Sequence, residues 1–326
     1  MPARGVFTLS LDFELIWGTL DLHGPGAFTA ACLRERALVG RLLDLLEAHR
    51  MSATWCVLGH LLLGRCGPWE GAPHPELLRP RHAWVAGDWF QHDPGGDEAA
   101  APLFFARSLV ERIRDSPVPQ EIGGHSFSHV ILGDAGCSGA VARSELGAAA
   151  AAARELGLRL RSFAFPRNRV GHLDALREHG ITAFRGPGPR WYEREDSPAG
   201  RLAHLWDVLR AAPPPTVLPE RTPEGLVNVP GSMIYFPMHG PRRLIPVSRR
   251  VRRALRGLEA AARERRVFHL WFHPTNLADG SEALFGGLQA IFARAAELRA
   301  AGALEVRTLG DLACEAAAGG LRSDAG

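Results

Sequence analysis

Short apolar runs alternate with helical patterns from one end of the chain to the other. Val6–Leu11 (VFTLSL), Ala53–Leu58 (ATWCVL), Gln120–Gly123, Ser162–Phe165, Thr182–Arg185, Leu226–Val229, Val267–Phe272 and Leu304–Thr308 have the length and content of buried strands. Between them, Leu33–Ala48, Gly139–Leu156, His172–His179 and Leu284–Leu298 repeat apolar positions at helical spacing. Strands regularly separated by helices pair in parallel through right-handed crossovers. Six to eight such units in 326 residues predict an α/β barrel rather than an open sheet. Such a barrel carries its chemistry where strands end and loops begin.

Two stretches break the rhythm. Residues 64–104 are rich in Gly, Pro and Trp, and residues 186–224 contain PGPRWYEREDSP and AAPPPTVLPERTPEG. Long loops on a compact domain more often cover a site than link domains. The strand–helix rhythm resumes after each, so one barrel domain is expected over 1–315, with a short frayed tail over 316–326. Trp69, Trp84, Trp89 and Phe90 in the first stretch, and Trp191 and Tyr192 in the second, could stack on sugar rings or form a small satellite core.

Composition narrows the chemistry. All 38 basic residues are Arg; with no Lys, Schiff-base, pyridoxal, P-loop and kinase lysine chemistries are excluded. Asn is confined to Asn168, Asn228 and Asn276, a bias that a G- and C-rich genome accounts for. Five widely spaced cysteines without a CxxC pair fit reduced thiols in a cytoplasm. Met1–Asp12 meets an acidic residue before any long apolar run, so no secretory or membrane-anchoring segment is expected. Net charge is +3, yet residues 241–266 hold ten Arg and two Glu. No aromatics interleave them as nucleic-acid binding would want, so a solvated helix face is expected, with Val251, Leu255 and Leu258 inward and no nucleic-acid partner.

Four strand ends carry reactive groups. Asp12 and Glu14 stand at i and i+2, which on a strand directs both carboxylates to one side. His125 and His129 stand at i and i+4, a spacing that would stack both rings on one face if the segment were helical. Phe165-Pro166-Arg167-Asn168 closes another strand, and Trp271-Phe272-His273-Pro274 puts His273 at the tip of a fourth. One carboxylate with two histidines makes a divalent-metal triad with open positions, suited to zinc or another first-row ion. The second carboxylate is then free as a base and His273 as an acid, a complete set for metal-assisted hydrolysis. The chain has no G-x-S-x-G or G-x-G-x-x-G, which argues against serine-hydrolase and dinucleotide chemistry.

These residues resemble the polysaccharide deacetylases, the NodB-like group of carbohydrate esterase family 4, over roughly residues 5–312. SLDFE, ATWCVLG, EIGGHSFSH, SFAFPRN and LWFHPTN are similar to that family's motifs and follow its order. The resemblance implies an irregular (β/α)7 barrel and removal of N-acetyl groups from an amino-sugar saccharide or glycoside precursor. It implies Asp12 as general base, His273 as general acid, and Glu14, His125 and His129 as ligands of one divalent ion, with zinc first and Co, Ni, Mn or Fe as alternatives. Phe13 separates two carboxylates that are adjacent in the commoner motif, so Asp12 and Glu14 could exchange roles. Ala164 stands where the family's third motif has the Arg that orients the base. Arg167 is therefore open between supporting Asp12 and binding substrate, and its amide is a candidate oxyanion donor. Asn168, Arg185 and Trp271 are candidates for binding substrate or bracing the catalytic groups, and Asn276 for fixing the His273 loop. Hydrolysis of a formyl, imide or ureide group on the same site is the alternative activity, and a non-catalytic saccharide-binding protein a further one. A cytoplasmic enzyme with no stable membrane association would act on an intracellular N-acetylated sugar.

Overall fold

The computed structural model describes residues 2–194 and 197–318. Its centre is a curled parallel sheet. Strand β1 (Gly5–Phe13) is buried along its whole length, as its near-continuous apolar run requires of a strand covered on both faces. It pairs in parallel with β2 (Thr54–Val57), and β3 (Glu121–Gly124), β4 (Ser162–Ala164) and β5 (Ala183–Arg185) follow in order. The next stave is one segment of chain used twice. Its first part, β6 (Val227–Asn228), bonds to β5; its second, β7 (Met233–Ile234), bonds to β8 (Val267–Phe272). Val229 N donates to Phe184 O at 2.9 Å, and three residues on Ser232 N donates to His269 O at 2.9 Å. Strand β8 lies along the free side of β1, with Ser10 opposite Trp271 and Leu11 opposite Phe272. The sheet thus curls into a ring of seven staves, β6 and β7 counting as one. β9 (Leu304–Val306) adds to the first residues of β1, outside the ring.

All eight strands expected from the apolar runs are present. Met233–Ile234 was not expected, because Pro230-Gly231-Ser232 punctuates the segment like a turn. The helices Thr29–Ala48, Gly139–Glu155 and Ser281–Ala300 lie outside the ring, and their buried positions recur at helical spacing: Val39, Leu42, Leu43 and Leu46 in the first. Helices at Trp17–His23, Arg107–Arg114 and Pro198–Leu209 escaped the periodicity because they are short or sit inside Pro-punctuated stretches. The last helix runs to Ala317, two residues into the expected tail; residues 319–326 lie outside the described residues.

The Arg-rich stretch forms the helix Val247–Glu264, with Leu258 buried and Val251 and Leu255 half-buried against the core. A wholly solvated arginine face is not what forms. Arg250 and Arg253 are buried, and Arg250 Nη2 donates to Arg242 O at 2.7 Å. Arg253 Nε and Arg256 Nη1 reach Ala212 O and Ala211 O at 3.1 and 2.7 Å. Part of the basic stretch therefore clips down the second irregular insertion. Among the described residues no helix is long and apolar enough to cross a membrane.

Candidate active site

The C-terminal end of β1 delivers the two carboxylates. Asp12 is its penultimate residue, and Glu14 follows just past the strand, before a left-handed turn at Leu15 (φ 50°). Gly18 makes room for Glu14: a Cβ there would stand 1.8 Å from Glu14 Oε2. The end of β3 leads into His125–His129, which is not helical. It is a loop with Ser126 and His129 in left-handed conformation (φ 58° and 67°), and this curl, rather than a helical turn, brings the rings to 5.4 Å between centroids. Glu145, buried on the helix behind, holds the loop. Its carboxylate accepts from Phe127 N at 3.0 Å, Ser128 N at 2.8 Å and the Ser128 hydroxyl at 2.7 Å. That residue was hidden in the alanine-rich face of its helix.

His125 Nδ1 lies 2.8 Å from Ala164 O, so Nδ1 carries the proton and donates it to that carbonyl. The lone pair on Nε2 then faces Glu14 Oε1 at 2.8 Å, and His129 Nε2 lies 3.5 Å from the same oxygen. Electron-rich atoms turned toward one another in a buried place call for a cation between them. Two imidazoles and a carboxylate, with one histidine oriented by a carbonyl, fit a first-row divalent ion. Burial works against ionised Glu14, but the surrounding imidazoles, His273 first, outweigh it and hold the carboxyl well below the usual range.

Asp12 sits beside this set in a different environment. Arg185, at the end of β5 and fully buried, grips both its oxygens, Nη1 to Oδ1 at 2.7 Å and Nη2 to Oδ2 at 2.5 Å. Burial raises the Asp12 pKa, and the Arg185 charge and its hydrogen bonds more than reverse that. Arg185 also donates to Ser10 Oγ at 3.0 Å and Asn168 Oδ1 at 3.1 Å, and lies over the Trp271 ring at 4.2 Å. Behind it, His269 Nδ1 donates to Val229 O (3.1 Å), leaving Nε2 to accept from the Ser10 hydroxyl (2.9 Å). Burial first, and Arg185 second, push the His269 pKa down to about 3, so it stays neutral beside the guanidinium.

His273 faces both carboxylates. Its Nε2 lies 3.3 Å from Glu14 Oε1 and 3.7 Å from Asp12 Oδ2, and its side chain is 30% exposed. Burial disfavours its charged form, but Glu14 and then Asp12 push it up to about 9. The Asn276 amide donates to His273 O at 2.8 Å and Asn276 Nδ2 to Tyr235 O at 3.2 Å, fixing the loop as expected. Buried Glu35 accepts from the neighbouring Thr275 hydroxyl, and burial pushes its pKa up to about 8.

Of the residues singled out from sequence, Asp12, Glu14, His125, His129, His273, Asn168, Arg185 and Trp271 come together. The Arg167 side chain does not join them: it pairs with Asp21 at 2.7 Å, and the arginine on Asp12 is Arg185. Ser10, His269, Glu145 and Glu35 were not foreseen. Phe90 is fully buried and joins the main core rather than a satellite one, whereas Trp84 is 39% exposed and lines a cleft with Trp17, Trp89 and Ser128. Trp89 Nε1 donates to Ser128 Oγ at 2.9 Å, tying that cleft to the histidine loop.

No family model matches the chain, and no curated protein matches it. Solved structures do. A protein of Mycobacterium smegmatis assigned as a polysaccharide deacetylase aligns with TM-score 0.64 at 15% identity, over 99% of this chain and 96% of that one. Puue allantoinase aligns with TM-score 0.61 at 13% identity, over 99% and 94%. At such identities the likeness establishes the fold: an irregular (β/α)7 barrel of the NodB-like deacetylase type.

Proposed function

We propose that the protein is a metal-dependent hydrolase that removes the N-acetyl group of an amino-sugar saccharide or glycoside precursor. The observation that supports this reading is the convergence of Asp12, gripped through both oxygens by Arg185, and His273, facing both carboxylates, on one imidazole–carboxylate donor set. Glu14 is the carboxylate ligand in this reading and Asp12 the base, because Glu14 lies against both histidines while both Asp12 oxygens are engaged by Arg185. A divalent ion held by Glu14, His125 and His129 would polarise the amide carbonyl and lower the pKa of water from ~15.7 toward about 7. Zinc suits this donor set, with Co, Ni, Mn and Fe as alternatives.

Asp12 takes a proton from the attacking water as its oxygen bonds to the carbonyl carbon. The Arg167 amide, on the loop that closes β4, is the proposed donor to the oxyanion, a contribution of about 3 kcal/mol. His273 gives its proton to the nitrogen as the C–N bond breaks, so that acetate and a free amine leave. The Trp17–Trp84–Trp89 cleft beside Ser128 offers aromatic faces for a sugar ring. A cytoplasmic, N-acetylated sugar is the substrate class proposed, in keeping with five free cysteines.

The test is acetate release from N-acetylated sugars and nucleotide-sugars, with and without chelator. Acetate lost on chelation and restored by metal supports the reading. Release of formate or opening of an imide or ureide, with no acetate, would move the activity to another amide on the same residues.

A further inference from the structure

A second cluster of ligating side chains lies outside the catalytic end's donor set, at the root of the first irregular insertion. His60 stands on the short turn Gly59–Leu62 after β2. Cys66 lies on the two-residue strand Arg65–Cys66, which pairs with Gly96–Asp97, and His74 and Asp93 come from the loop between. One ligand atom from each of these four residues lies within 4.8 Å of all the others. His60 Nε2 and His74 Nε2 are each 2.9 Å from the same oxygen, Asp93 Oδ2, and Cys66 Sγ is 3.5 Å from His60 Nε2. The side chains of His60 and Asp93 are fully buried and that of His74 is 4% exposed.

The partners of the two rings fit ligation by their inner nitrogens. His60 Nδ1 faces Phe104 O at 3.0 Å, an acceptor, while Nε2 faces a carboxylate, also an acceptor. His74 repeats the arrangement, with Nδ1 at 3.2 Å from Glu76 Oε1 and Nε2 on Asp93. A neutral imidazole has one N–H, so without a cation or a second proton each ring turns a lone pair toward an acceptor. Phe104 O also accepts from Trp17 Nε1 at 3.3 Å and Glu76 is 63% exposed, so it is the two Nε2 atoms crowded on one Asp93 oxygen that mark the place for a cation. With a cation both rings donate outward from Nδ1, to a carbonyl and to a carboxylate, and ligate through Nε2. That is the orientation metal-bound histidines adopt. Asp93 is braced too, its other oxygen accepting from Gly95 N at 2.9 Å. Trp17 and Phe105 close over His60 at 4.6 and 4.8 Å, excluding water.

We propose that His60, Cys66, His74 and Asp93 form a structural metal site, with four protein ligands closing a tetrahedron around zinc. Bonds of ~2.0–2.3 Å set tetrahedral ligands roughly 3.3–3.7 Å apart; the Cys66 Sγ–His60 Nε2 separation of 3.5 Å falls in that range, and the two His–Asp93 separations of 2.9 Å need to open by a few tenths of an ångström. The site clamps both ends of the insertion that carries Trp84 and Trp89. Its role is to hold that insertion on the barrel rim, separate from the hydrolytic chemistry.

The cysteine makes the site testable apart from the active site, which has no sulfur ligand. Stripped wild-type protein titrated with cobalt should take up two equivalents, with tetrahedral visible bands and a near-ultraviolet thiolate-to-cobalt charge-transfer band. In a Glu14→Gln, His125→Gln, His129→Gln variant, uptake should fall to one equivalent while the thiolate band is retained in full. Cys66→Ser should abolish the band. If wild-type protein shows no thiolate band at two equivalents, or Cys66→Ser keeps it, the proposal is overturned. The first of these outcomes requires no variant to fold. Failure of the proposed active-site metal alone would leave one equivalent and the thiolate band in place, so the two assignments stand or fall separately.

Discussion

Replacing Arg185 with leucine would remove the partner of a carboxylate that is 2% exposed. Four polar contacts go with it: two to Asp12, one to Ser10 and one to Asn168. Removing one member of a buried ion pair costs about 3–5 kcal/mol, because the other charge stays buried and uncompensated. Asp12 can escape that penalty by taking a proton. At ~1.36 kcal/mol per tenfold, the same energy shifts its ionisation by roughly 150- to 5000-fold toward the neutral form. In the wild type the Asp12 pKa is lowered, so its contribution to stability is present at neutral pH and lost as acid protonates it. In Arg185→Leu the sign reverses: the destabilisation is greatest at neutral and alkaline pH and shrinks on acidification. The acid limb of kcat/KM for deacetylation should move upward by about two pH units or more, since a protonated Asp12 cannot act as base. Arg185→Lys keeps the charge but not the planar fork, and should recover stability more than rate. Urea unfolding at several pH values and a kcat/KM profile measure both effects. An Arg185→Leu protein with an unshifted acid limb and a stability loss below about 1 kcal/mol would refute the reasoning.

Gly18→Ala would put a methyl carbon 1.8 Å from the place of Glu14 Oε2, so the carboxylate has to turn and metal content measured by mass spectrometry should fall while the chain stays folded; full retention would mean that the space at Gly18 does not set metal affinity. Glu145→Ala leaves two buried amides of the histidine loop without their acceptor, at about 1–3 kcal/mol each, so urea unfolding should show that loss together with weaker metal uptake. His269, with its pKa near 3, leaves the folded state proton-poor below the unfolded value of about 6.5. Stability should therefore decline as pH falls from 6.5 toward 3, by up to ~1.4 kcal/mol per pH unit from this residue, and His269→Gln should flatten the slope. His273 is raised, so the rate should fall as pH climbs through its pKa, and His273→Gln should remove that alkaline limb along with most of kcat.

What was legible in the sequence was what is local. Asp12, Glu14, His125, His129 and His273 sit in short motifs at strand ends, and the ends of neighbouring parallel strands meet at one rim of the barrel. The role of Arg185 could not be read that way. Ala164 occupies the place of the expected arginine, and the guanidinium arrives from the neighbouring strand β5, whose Arg185 lies in register with Ala164. Register across a parallel sheet leaves no mark in linear spacing. The loop at 125–129 misled for another reason: its i, i+4 histidines meet through two left-handed residues, a conformation that Ser and His do not advertise. His60, Cys66, His74 and Asp93 lie at irregular spacing across a loop whose Gly and Pro content suggested only irregularity. The split stave, too, was half seen, because Pro230-Gly231-Ser232 lies inside it while backbone hydrogen bonds continue on both sides.

The measurement closest to the central claim is acetate release by zinc-reconstituted protein from a panel of N-acetylated sugars and nucleotide-sugars, scored beside Glu14→Gln and chelated controls. The account predicts acetate and free amine in equal amounts from at least one member, abolished by chelation or by Glu14→Gln and restored to the wild type by metal. Metal-loaded protein that binds such sugars and releases no acetate from any of them would contradict it.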